Sequence, residues 1–428
     1  MPDDRKIRSA TARHQRGAAS LLVVVVLFFI LALVTAYASR NLIFEQRISA
    51  NNLRATQAFE AAEAGIEFSI AALGGGRVAG NCTDTTNTAN DTFRQRYLQN
   101  VDGTYGLSGA QTVLRPTCMV LSTGTECSCP TAGNTPDLAA QVGPVPTFQI
   151  RFDTTGIAQP GVVRVYSRGC SNVGAPCYGL TPAADAQAEV SVLLGLNSAL
   201  ATPPSAALTA RGAVNLGGGA VSVSNADVPT AGITINAGGD VTNAGNARLL
   251  GVAGTPGPSS MQANDPSLNE LDGNRMFVSL FGMDKATYRS QPAVVRVACN
   301  GGCGQTIADT VSANPGRVVW VEGNATIDSN QVFGSPTDPV LLIVRGNLTV
   351  AANLQMHGVL YLHANGGTTW STTAGSTSIN GAVVAEDGLT FVGAPTISFD
   401  PAVLRVIRLT QGSLVRIPGS WRDFAAGS

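Results

Sequence analysis

Lysine is nearly missing from this chain: among 428 residues it occurs only as Lys6 and Lys285. Charge of either sign is scarce, at 13% of residues, and 27 basic side chains stand against 28 acidic ones. With a net charge near zero, no global field favours nucleic acid as a partner. Past the first 75 residues the polar character comes mainly from Thr, Ser and Asn, among many of the 48 glycines. That composition suits strands and turns rather than helices, and the length argues for two or three structural units.

Charge is absent altogether between Arg16 and Arg40, in "GAASLLVVVVLFFILALVTAYAS". From Ala18 to Ala38 only Ser20 and Thr35 interrupt the apolar run. As a helix the run is about 31 Å long, matching a hydrocarbon core of roughly 30 Å. It is too long for the core of an ordinary secretion signal, and "AYASR" offers no clean small-residue cleavage site. Ahead of it Arg5, Lys6, Arg8, Arg13 and Arg16 outweigh Asp3 and Asp4, an excess that stays on the cytoplasmic side.

Helix breakers are then missing from Asn41 to Leu73, where there is no Pro and only Gly65 before the Gly74 to Gly76 stop. Phe44, Ile48, Ala55, Phe59, Ala62, Ile66, Ile70 and Leu73 recur at three, four or seven residues, which keeps them on one helical face. One helix is expected from Ala18 to Leu73, about 84 Å long, apolar all round in its first half and amphipathic in its second. Phe44, Ile48, Phe59, Ile66 and Ile70 are its expected packing residues.

A short basic leader ending in Gly, a charge-free segment and a helix carrying "AAEAGIE" look like the class III signal and N-terminal helix of type IV pilins. More narrowly, "RGAASLLVVVVLFF", "FEQR" and "QAFEAAEAGIEF" resemble the N-terminal region of the PilX family of minor pilins, over about residues 14 to 73. The resemblance implies cleavage by a prepilin peptidase between Gly17 and Ala18, and N-methylation of the new amine at Ala18. It also implies a prepilin that crosses the bacterial inner membrane once, with its C-terminal region periplasmic, and later joins an extracellular pilus. Its partners would be other minor pilins, the major pilin, the inner-membrane assembly machinery and a large tip adhesin.

One departure from the major-pilin pattern is informative. Where those pilins carry a Glu five residues after the cleaved Gly, this chain has Leu22, and its first acid after the leader is Glu45. In a filament that acid is understood to neutralise a neighbouring subunit's terminal amine within an apolar core, where an unpaired charge is costly. A subunit at the tip has no neighbour above it to match. Leu22 therefore favours a low-copy, initiating subunit over a shaft subunit, with a type II secretion pseudopilin at a tip as the alternative.

From Gly74 to Ser198 a β-rich pilin headgroup is expected, with strands at Gln111 to Leu114, Thr147 to Asp153, Val162 to Arg168 and Ala188 to Leu194 packed on the long helix. All eight cysteines lie beyond the apolar run: Cys82, Cys118, Cys127, Cys129, Cys170, Cys177, Cys299 and Cys303. An even count in an exported region reads as disulfides. Proximity pairs Cys170 with Cys177 and Cys299 with Cys303, leaving Cys127 and Cys129 to reach Cys82 and Cys118. A zinc site is the alternative, without nearby His or paired C-x-x-C spacing.

From about Ser205 to the end, short apolar pieces alternate with Gly and Asn, and "VEGNATID" and "VRGNLTVA" repeat 23 residues apart, from Gly323 and Asn324 to Gly346 and Asn347. This pattern fits the rungs of a parallel β-helix or similar solenoid, with a β-sandwich as runner-up. "NDPSLNELDGNRMFVSLFGMDKATY", residues 264 to 288, reads as a helical insertion.

Many β-helices process polysaccharides, so a membrane-tethered glycan enzyme is weighed. Asp328, Asp338, Glu386, Asp387 and Asp400 are its candidate acids, but no spacing fixes a pair, and solvated turn acids are the simpler reading. His357 and His363 are too far apart along one strand to share a metal. "AGGDVTNAGN" is a weak match to glycine-rich calcium turns. No catalytic residue, cofactor or metal is expected. The sequence thus reads as an α+β protein: leader 1–17, transmembrane and amphipathic pilin helix 18–73, headgroup 74–198 and β-solenoid-like module 205–428. Its expected role is pilus assembly and initiation near the filament tip, with adhesion as a further role of the module.

Overall fold

The computed structural model describes residues 16–107, 114–132, 137–139, 145–172, 186–243, 246–299, 301–364 and 366–423. The chain divides into a unit ending at Thr56 and a second starting at Gln57. The first is the opening part of helix α1, Arg16–Leu73, unbroken because neither Pro nor Gly interrupts it between Gly17 and Gly65. Its few hydroxyls turn inward on the backbone: Thr35 Oγ1 donates to the Leu31 carbonyl at 2.8 Å and Ser39 Oγ to Ala36 at 3.0 Å. Bonds of this kind satisfy polar groups in an otherwise apolar helix.

In the second unit, the end of α1 packs on an antiparallel sheet. A hairpin of β1 (Leu98–Val101) and β2 (Thr104–Leu107) precedes β3 (Thr117–Leu121), β4 (Gly124–Ser128), β5 (Thr147–Asp153), β6 (Val162–Cys170) and β7 (Gln187–Ser198). The sheet runs β4, β3, β5, β6, β7 and then the C-terminal strand Gly412–Arg416. Alternation along β6 puts Val163 and Val165 inward, against Ala62 and Ile66 of α1 and Phe148 and Ile150 of β5. Helix and sheet approach so closely that a Cβ on Gly169 would lie 1.9 Å from the Ala58 carbonyl oxygen, and one on Gly65 would lie 2.1 Å from Ser167 Oγ. The lone glycine inside the amphipathic helix is therefore a contact point.

Two sequence expectations change here. Residues 412–416, grouped with the C-terminal module, instead pair antiparallel with β7, Leu414 lying opposite Leu196. Leu414 is buried in the headgroup core, and this strand covers an edge that β7 would otherwise leave open. The strand expected at Gln111 to Leu114 falls almost wholly outside the described residues, and Leu114 itself is not in a strand. Disulfides join Cys82 to Cys129, Cys118 to Cys127 across the β3–β4 pair, and Cys299 to Cys303. Cys170 is also disulfide-bonded; Cys177 lies outside the described residues.

Between β7 and the C-terminal strand the chain builds three stacks of parallel strands. The first contains 294–298, 318–322, 340–344, 358–362, 383–385, 208–210, 235–237 and 261–262, in that spatial order. The second contains 325–327, 348–350, 368–372, 389–392, 214–215 and 241–242. The third contains 331–333, 354–356, 377–379, 396–398, 222–224 and 248–250. Spatial order thus departs from chain order: the earliest strands stack beyond the last ones. Gly358 and Gly381, with φ of 155° and 142°, carry two long strands round the corner from the third stack to the first. A Cβ on Gly381 would fall 1.9 Å from the Gly358 carbonyl oxygen.

The repeated Gly-Asn pairs have a structural use. Asn324 Oδ1 accepts from the Asn347 amide and Asn347 Oδ1 from the Thr369 amide, each at 2.9 Å. A second ladder runs from Asn330 through Asn353 to Ser376. First-stack strands such as "VVWV" (318–321) and "VLLIV" (340–344) are apolar throughout because both faces are covered. The stack interior lies on one side, while Phe277, Phe281, Tyr288, Val403 and Ile407 pack on the other. These last side chains come from the helices Gly273–Phe281, Lys285–Arg289 and Pro401–Thr410.

Candidate functional site

Two regions carry chemistry beyond packing. The first is the opening half of α1, whose backbone at Gly17 and Ala18 is helical. From Leu21 to Leu53 its large apolar side chains are all exposed, Leu22 by 66%. It is the single helix among the described residues long and apolar enough to cross a membrane, with a window of mean hydropathy 3.0. Water is an unfavourable neighbour for such a surface, which suits lipid or other apolar helices. Of the expected packing residues, Ile66 is buried in the headgroup, and Phe59 and Ile70 are packed against that core. Phe44 and Ile48 lie on the exposed part. The C-terminal segment grips α1 as well: Trp421 meets Phe59 edge to face at 6.3 Å and Arg416 pairs with Glu67.

The second region lies where the first-stack strands end. Five of those strands close on a polar or charged residue: Glu322 ends 318–322, and Arg345, His363, Glu386 and Arg211 follow 340–344, 358–362, 383–385 and 208–210. Arg289 pairs with Glu322, and Arg211 with Asp387 at 2.8 Å. Glu386 is the centre of the row. It is buried, Lys285 Nζ donates to its Oε1, Tyr361 donates its hydroxyl to Oε2 at 2.8 Å, and His363 Nδ1 lies 3.1 Å from Oε2. Burial alone would push the Glu386 carboxyl up, but the bonds from His363, Lys285 and Tyr361 outweigh it and hold the group below the usual carboxylate range. Burial, reinforced by the neighbouring carboxylate, raises the Tyr361 hydroxyl well above its ordinary value.

The reading of all five acids as solvated turn residues therefore fails at Glu386. Its partner Lys285 comes from the helical insertion, 101 residues away, so no local spacing announces the contact. The other acids are engaged separately. Asp400 caps the Pro401–Thr410 helix through the Ala402 and Val403 amides. Asp328 leans over Gly302. Burial raises the Asp338 carboxyl despite the nearby Arg77. His357 lies 3.3 Å from the Gln355 side chain, away from the Glu386 cluster. Among the described residues no group of three or more His, Cys, Asp or Glu could hold a metal ion.

Comparison with known proteins adds one finding about the N-terminal segment. Residues 16–67 match the family model described as PilX N-terminal, so this part of the chain is type IV pilin-like. No curated protein matches the chain in sequence. Among solved structures the chain is similar to the competence-associated pilin ComZ from Thermus thermophilus, at 13% identity over 87% of this chain and 98% of that one. The TM-score is 0.24, too low for the likeness to say anything about this chain.

Proposed function

We propose that this chain is a minor pilin of a type IV pilus, acting in pilus assembly and initiation near the filament tip, and a structural component rather than an enzyme. The observation that carries the reading is the PilX N-terminal segment at residues 16–67, which contains the charge-free stretch 17–39 with its exposed apolar side chains from Leu21 onward. In this reading the apolar half of α1 anchors the precursor in the inner membrane. It leaves the bilayer by exchanging lipid contacts for contacts with other pilin helices, so no large apolar surface meets water. The stacked parallel strands form a β-solenoid displayed outward by the headgroup, a surface also suited to adhesion.

Leu22 supports the tip position, since no carboxylate is present there to receive the amine of a subunit placed above. The test is to delete the chain and count pili, and to label the module on intact filaments. Far fewer pili of ordinary length, with label confined to filament ends, is the expected result. Regular labelling along the shaft removes the tip role. Normal piliation with lost attachment moves the function to adhesion, and intact pili with failed secretion moves it to a type II pseudopilin.

A further inference from the structure

Independently of pilus assembly, we propose that Lys285 and Glu386 become joined by an intramolecular amide bond, with Tyr361 and His363 holding the carboxyl oxygen that remains. Lys285 is the one lysine beyond the leader, and its side chain is only 22% exposed beside a Glu386 side chain that is 7% exposed. The amine is already on Oε1, while the Tyr361 hydroxyl and His363 Nδ1 both address Oε2. Phe277 lies with its ring centroid 6.0 Å from Nζ, and Phe281 and Tyr361 pack against it. This aromatic wall lowers the local polarity.

The two carboxyl oxygens are thereby assigned different roles. A proton passing from Nζ to Oε1 turns the ion pair into a neutral amine beside a carboxylic acid, a minor form that burial promotes and the bonds to the carboxylate oppose. The nitrogen lone pair then attacks the carboxyl carbon, forming the C–N bond, and negative charge develops on Oε2. The Tyr361 hydroxyl is placed to donate to that oxyanion, and the His363 ring lies in contact with it at 3.1 Å. A second proton moves from nitrogen to Oε1, the C–Oε1 bond breaks and one water leaves. Two protons leave nitrogen and two depart with the oxygen, so no oxidant, reductant or other reactant is needed. The bond would fasten the Lys285–Arg289 helix to the rung on which strand 208–210 docks.

The full chain, purified from membranes, unfolded, reduced and digested, tests the proposal by mass spectrometry. The expected product is a branched peptide joining the segments of Lys285 and Glu386, lighter than their sum by one water, with Lys285 inert to amine labelling. Lys285→Arg keeps the ion pair and should abolish the branched peptide. Tyr361→Phe and His363→Gln should each lower the linked fraction several-fold at a matched time after synthesis. A wild-type chain whose Lys285 labels fully, with no branched peptide, overturns the proposal. An undiminished linked fraction in both Tyr361→Phe and His363→Gln overturns the roles given to those residues.

Discussion

Replacing Gly169 by alanine tests how α1 is held to the headgroup. The added methyl would sit 1.9 Å from the Ala58 carbonyl oxygen and 2.4 Å from the Ala62 nitrogen, both backbone atoms that no rotamer change can move. Ordinary contact needs about 3.5 Å, so the helix must retreat locally by roughly 1 to 1.5 Å. A gap of about that size forfeits roughly half or more of each contact made by Ala62 and Ile66 with Phe148, Ile150, Val163 and Val165. A few buried aliphatic groups at about 1.5–3 kcal/mol each, partly lost, amount to roughly 2–4 kcal/mol. Removing a strand glycine returns about 0.5–1 kcal/mol. The expected net loss is about 1–3 kcal/mol, or roughly 1–4 °C in melting temperature for a chain of this size. Gly106→Ala is the control, because its nearest neighbour is the Gln99 carbonyl oxygen at 3.9 Å. Thermal unfolding of the detergent-purified, oxidised protein by circular dichroism gives the comparison. If Gly169→Ala melts with Gly106→Ala, the close approach of helix and sheet is not what holds them together.

Other expectations follow from other parts of the molecule. Gly17→Leu should leave an uncut precursor, whereas intact mass should give the wild-type chain an N-terminus at Ala18; a chain starting after Ala38 would instead establish an ordinary signal peptide. Alkylation of the unfolded but unreduced exported protein should find no free thiol among Cys82, Cys118, Cys127, Cys129, Cys170, Cys177, Cys299 and Cys303. Burial raises the Asp338 carboxyl, so its folded form favours the acid and its contribution to stability is lost as pH rises through the folded value. Asp338→Asn should therefore raise the melting temperature at pH ~7 and make little difference near or below pH ~4; equal effects at both would contradict the assignment. Asn347→Ala removes the acceptor of the Thr369 amide and should cost about 1 kcal/mol in chemical unfolding of the module, against almost nothing for the exposed Asn51→Ala.

The parts legible in the sequence were those whose cause is local. The long helix showed in its missing breakers and its three-and-four spacing, and the strands at 147–153, 162–170 and 187–198 showed in their β-branched runs. The Gly-Asn repeat was visible too, although its meaning needed the hydrogen bonds it makes between rungs. What stayed hidden depends on distant partners. "GSLVR" near the C-terminus has the texture of the module before it, and only pairing with β7 separates it. "AEDG" looks like a solvated turn until Lys285, Tyr361 and His363 surround Glu386.

The return of the chain to the headgroup makes synthesis order matter. Strand Gly412–Arg416 is the latest strand among the described residues, yet it completes the sheet begun by β3 and closes beside β7. Strand 208–210 likewise waits for 383–385 before its neighbour on that side exists. A chain cut short anywhere in the module would present the bare edge of β7 and lack Trp421 against Phe59 and Arg416 beside Glu67. The contacts of Trp421 and Arg416 with the end of α1 therefore form only after the whole intervening module has been made.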